Sequence, residues 1–119
     1  GHENRLDSTD LMINWQQHCS QEIADMVLAG NPLYGGAVSE FCHGQFQLVE
    51  ATATEAVFTG VKAGTVVEVS VTSGLIVRTV DRTVRLDIVS TPYGVMSGYR
   101  FAQLWQINAG SELGASACR

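Results

Sequence analysis

Between Gln45 and Ile107 apolar side chains recur at every second position, and no other feature constrains the fold as tightly. Phe46, Leu48 and Glu50 alternate with Gln47, Val49 and Ala51, and Ala56-Val57-Phe58 resumes the run. Val67, Val69 and Val71 alternate with Glu68, Ser70 and Thr72, and Val84, Leu86 and Ile88 with Thr83, Arg85 and Asp87. Tyr99, Phe101, Gln103, Trp105 and Ile107 continue the pattern. Period two, with β-branched and aromatic residues over-represented, predicts strands with one buried face. The connections near Gly60–Gly64, Ser73-Gly74, Val80–Arg82 and Pro92–Gly98 are short, which predicts antiparallel neighbours.

Upstream the period changes. From Ser8 to Ala29 the apolar residues Leu11, Met12, Trp15, Cys19, Ile23, Met26 and Val27 are three or four apart. That spacing makes one stripe of a helix of roughly 18 to 20 residues. Ser8, Thr9 and Asp10 are candidate N-caps, and Gly30 and Pro32 end the segment. Asn31 to Gly44 is rich in turn formers, with a short helical turn expected at Val38–Cys42. A sheet with one apolar face needs cover, and a single long helix is available to supply it. The expected fold class is α+β, a curved antiparallel sheet wrapped around one long N-terminal helix. One domain is expected over residues 3–108. Gly1-His2 reads as a remnant of tag cleavage, and Ala109–Arg119 as a small polar tail that frays.

Composition narrows the function classes. The 119 residues are 45% hydrophobic and 16% charged, enough apolar material for one core. Twelve acidic against seven basic residues leave a net charge of −5. A phosphate backbone or an anionic membrane selects concentrated Lys and Arg, so neither nucleic acid nor membrane is an expected partner. Cys19, Cys42 and Cys118 are odd in number and form no CxxC pair, which points to a reducing compartment, the cytoplasm. No apolar run reaches membrane-spanning length, and no signal peptide is visible.

The stretch "VFTGVKAGTVVEVSV" resembles hot-dog-fold thioesterases of the four-hydroxybenzoyl-CoA type, at the turn that opens a valine-rich strand. "LDSTDLMINWQQHCSQEIADMVLAG" is similar to that family's Asp-Thr-Asp entry into its central helix, with Ser8 in place of the first Asp. The similarity runs from Asp7 to Ile107. It implies a hot-dog-like fold and hydrolysis or binding of an acyl-CoA or acyl-carrier thioester. It also makes Asp10 the catalytic carboxylate at the helix N-terminus, with Asn14 and Trp15 orienting the acyl substrate or water.

The residues themselves leave plainer readings open. Asp10 can simply cap the helix, and Trp15 lies on the apolar stripe. "YGG", with Tyr34, can let backbone approach a ligand or be an ordinary loop. Arg78, Arg82 and Arg85 can meet the phosphates of a CoA-like ligand, Arg82 foremost, or form a charged outer face. His18 and Glu22 are too few for a metal site without a third ligand, and no cofactor signature is present. The sheet edge and the scant helical cover imply a homodimer. The competing architecture is a non-catalytic small-ligand-binding or interaction protein, cone-shaped and nuclear-transport-factor-like or novel.

Overall fold

The computed structural model describes residues 12–29, 37–41 and 44–114. Helix α1 (Ser20–Ala29) leads into strands β1 (Ala37–Phe41), β2 (Gly44–Thr54), β3 (Val66–Ser70), β4 (Gly74–Arg78), β5 (Thr83–Thr91) and β6 (Gly94–Ser97), followed by helix α2 (Gly98–Leu104). The fold is α+β: a six-stranded sheet, every paired neighbour antiparallel, and two short helices. Its strand order is β1-β2-β5-β4-β3, with β6 joined to β5. No helix among the described residues is long and apolar enough to cross a membrane.

The long N-terminal helix is replaced by a turn and a helix of 10 residues. Asn14 makes the turn: its carbonyl accepts the N–H groups of Gln17 and His18, and its Oδ1 accepts that of Gln16. Trp15 then enters the core, 1% exposed, with Nε1 donating to Ser39 Oγ at 2.9 Å. α1 begins only at Ser20, after Cys19, whose N–H donates to Glu22 Oε1 at 2.8 Å, half of a capping box. Apolar residues three and four apart therefore bury their side chains through two different geometries. Residues 8–11, where the caps Ser8, Thr9 and Asp10 were expected, include none that is described.

Where a helical turn was expected at Val38–Cys42, Ala37–Phe41 is a strand that buries Ala37, Ser39 and Phe41 alternately. Tyr99–Ile107, expected to form a strand, supplies α2 instead. Ser97 caps it by accepting the Arg100 N–H at 3.0 Å, and Phe101 and Ala102 face the core. Its end uses a left-handed residue, Gln106 at φ 58°, after which the Ile107 N–H returns to the Ala102 carbonyl at 2.8 Å.

One core lies inside the sheet. Phe46, Phe101, Leu48, Leu75, Leu86 and Val89 are essentially inaccessible, and Phe41 packs edge-on against Phe46, Phe101 and Trp105. α1 lays Ile23, Ala24 and Val27 mainly on β2.

The outer edges of the sheet belong to β1 and β3, and the segment after α2 ties both. Val66 N–H donates to the Ser111 carbonyl, and Gly110 and Leu113 donate to the carbonyls of Val66 and Gly64. Gly114 N–H donates to Glu40 of β1 at 2.8 Å. Residues 110–114, within the segment expected to be a polar tail, thus hydrogen-bond to the sheet.

Lys62-Ala63-Gly64 is where these pieces meet. Gly64, at φ 92°, lets the turn approach Trp15 and the Leu113 carbonyl, to which an added Cβ would come within 3.2 Å. Gln16 Nε2 donates to the Ala63 carbonyl at 3.1 Å, and Lys62 pairs with Glu112 at 3.4 Å.

Candidate functional site

Of the residues that sequence reasoning marked, those described play separate roles. Asp10 and Tyr34 lie outside the described residues, as do Cys42 and His43. Asn14 organises a turn, and Trp15 is a core residue bonded to Ser39. Arg82 is solvent-facing and donates to Glu55 Oε1 at 2.8 Å. None of these three lines either of the clefts below. His18 and Glu22 do not engage each other, because His18 Nδ1 accepts the Asn14 N–H and Glu22 accepts that of Cys19. Arg78 is an internal brace, donating to the carbonyls of Phe58, Thr79 and Arg82. Among the described residues no group of three or more His, Cys, Asp or Glu is arranged to hold a metal ion.

Asp81 is the acid whose environment perturbs it. Its Oδ1 accepts the Ser20 N–H at the start of α1, the Thr79 hydroxyl and the Arg82 N–H. The Ser20 bond above all holds its carboxyl below the usual aspartate value. Its role is to pin the helix to the β4–β5 turn.

One cleft among the described residues arises from β5. One edge of β5 pairs with β2 along its length, while the other edge takes β4 at Thr83–Leu86 and then β6 at Ile88–Thr91. Asp87 falls in the gap. Against β2 the register also steps there, from Ala51 opposite Leu86 to Glu50 opposite Ile88, so Asp87 is the extra residue of a bulge. The bulge breaks the period-two burial: Val84 and Leu86 point inward, and then Val89 does instead of Ile88. Such bulges re-aim a side chain.

Gly98 closes the far side. A Cβ there would lie 2.0 Å from the Leu86 carbonyl oxygen, so only glycine lets α2 start this close to β5. Between the Val71–Gly74 turn, Arg85–Asp87 and Ser97–Tyr99 lies an open cleft of about 380 Å³, within the range of small-molecule sites. Arg85 Nε donates to Asp87 Oδ1 at 2.6 Å, and Thr52 Oγ1 donates to Oδ2 at 2.7 Å. Tyr99 Oη accepts from Gln103 Nε2 at 3.2 Å. Arg85 and Asp87 are the only charged side chains of the lining, and they cancel. Ser73, Arg85, Asp87, Ser97 and Tyr99 give the lining its hydrogen-bonding side chains. A second cleft of about 310 Å³ runs along Val38, Gln45–Gln47 and Ser90–Pro92.

Sequence reasoning missed Asp87, Thr52 and Gly98. The available signal was small: Gly98 directly after a capping Ser97, and an acid two residues beyond an arginine within an apolar strand.

Residues 5–103 match the family model described as formyl transferase, C-terminal domain. No curated protein matches the chain. The family match overturns the hot-dog resemblance, and with it the thioester hydrolase or binder and the thioesterase-like reading of the chain. The competing cone-shaped architecture gains no support from it. The misleading signal was the Lys-Ala-Gly turn before a valine-rich strand. Any tight turn into a half-buried strand requires that pattern, so it does not distinguish families.

Proposed function

We propose, since the chain belongs to the formyl transferase C-terminal domain family, that it takes part in moving a formyl group from a donor to an acceptor. Its share is to hold the acceptor for a reacting centre outside the described residues. The observation that carries this reading is the family match over residues 5–103, which takes in every described strand. In formyl transfer a nucleophilic atom of the acceptor bonds to the formyl carbon as the bond to the donor breaks. Holding the acceptor in place lowers that barrier without the module supplying a reacting group. The cleft at Asp87 is suited to such a role, since its polar side chains are fixed by neighbours before a ligand arrives. The net charge of −5 supports a small-molecule acceptor over a nucleic acid.

The test is a chimera. A formyltransferase stripped of its own C-terminal domain is joined to this chain, checked for folding by circular dichroism, and assayed for formyl transfer. Recovery of transfer through a lower acceptor KM, with the isolated chain inactive, is the expected result. Transfer by the isolated chain, or a folded chimera no better than the stripped enzyme, removes the proposal.

A further inference from the structure

We infer that the cleft at Asp87 binds a neutral, hydroxyl-rich small molecule, a polyol of about monosaccharide size. The assignment rests on the reading of this module as an acceptor-holding one and names the class of group it holds.

The charge balance of the cleft disfavours a purely anionic or purely cationic ligand. Its cation, Arg85, lies 2.6 Å from its anion, Asp87. An anionic ligand reaching Arg85 meets the carboxylate, and a cationic ligand reaching Asp87 meets the guanidinium. A hydroxyl group suits both, because it donates to the carboxylate and accepts from the guanidinium. A vicinal diol can do so with two adjacent oxygens.

The donor and acceptor inventory fits. An ionised carboxylate offers about four acceptor sites, and the hydrogen bonds to Asp87 come from Thr52 and Arg85. Arg85 uses Nε for Asp87, and the hydroxyl-bearing residues Ser73, Ser97 and Tyr99 line the same cleft. Two bonds hold the carboxylate, so little rotamer freedom remains to be lost on binding. The Arg85 and Asp87 side chains are 43% and 25% exposed, so a ligand can reach them. The bulge supplies an independent sign. An unbroken β5 would not leave Asp87 without a register partner, and here the chain opens a gap at that residue.

The experiment is amide NMR on the intact chain, titrated separately with methyl glucoside, myo-inositol, inorganic phosphate and putrescine. The two neutral polyols are expected to shift the amides of Ser73, Gly74, Asp87 and Gly98, with Kd in the millimolar range. Asp87→Asn and, independently, Arg85→Gln are expected to weaken binding roughly tenfold, about 1.4 kcal/mol, while the rest of the spectrum stays that of the folded chain. Absence of shifts with both polyols at ~50 mM, well above a millimolar Kd, overturns the assignment. So does stronger binding of phosphate or putrescine at these amides, or unchanged affinity in both variants. Polyol binding alongside a chimera that fails in transfer keeps this assignment and removes the acceptor role. Restored transfer without polyol binding removes this assignment alone.

Discussion

Gly98 and Asp81 illustrate how single positions hold this molecule in register. Gly98→Ala puts a methyl group 2.0 Å from a strand carbonyl that is fixed in the sheet. Overpacking against backbone costs about 3 kcal/mol, so urea denaturation should show a loss of that order. Gly60→Ala is a useful contrast, since an added Cβ there meets nothing within 4 Å and only its φ of +77° is strained. It should cost about 1 kcal/mol. Asp81 carries a pH signature. Its folded pKa lies below the ordinary aspartate value because the ionised form accepts the Ser20 N–H. The stability it contributes is therefore complete above the unfolded value and is lost as pH falls from about 4 through the folded one. Asp81→Asn should cost about 1 kcal/mol at neutral pH, the size of a lost helix cap. Denaturation midpoints of variant and wild type should converge in acid.

Elements differ in how much of their form was legible in advance. β2 and β5 follow from alternation that survives in the structure: Phe46 and Leu48 on one strand, Val84 and Leu86 on the other, are buried. The hairpin at Ser73-Gly74 is antiparallel as its short turn requires. α2 was not legible as a helix, because Phe101 and Trp105 are separated by four residues and fit both periods. Ser97 decides between them by offering a cap where β6 ends. The same helix contains a testable weakness. Gln106 adopts φ 58° to close its C-terminus, a conformation costing a non-glycine residue about 1 kcal/mol. Gln106→Gly should raise stability by roughly that amount in thermal or urea unfolding. A loss of stability would show that the glutamine side chain matters more than the turn.

For the whole molecule, the decisive contacts are those of residues 110–114, which join both outer edges of the sheet. A chain ending at Asn108 loses the hydrogen bonds to Gly64, Val66 and Glu40 and empties the site of Leu113, which is 3% exposed. Emptying a buried leucine site costs roughly 3 kcal/mol, and the bared edges of β1 and β3 become templates for pairing. The shortened chain should unfold at lower urea and associate with rising concentration in sedimentation velocity, whereas the full chain should not show that edge-driven association. No described ligand-facing residue would be altered by the truncation, so polyol binding by the remaining folded fraction should persist.

Alternation, turn composition and charge balance sufficed to establish an α+β domain with antiparallel strands, because burial on one face and tight turns leave local traces. The helix at the N-terminus was overextended because spacing records which side chains are buried and not how the backbone brings them there: Trp15 reaches the core from a turn, Ile23 from a helix. The cleft at Asp87 leaves only a faint local trace. It exists because β4 leaves β5 where β6 joins it, and Gly98 lets α2 close against Leu86 across a dozen residues of chain. Where two strands exchange an edge is set by which distant segments pair, and only the tertiary fold decides that.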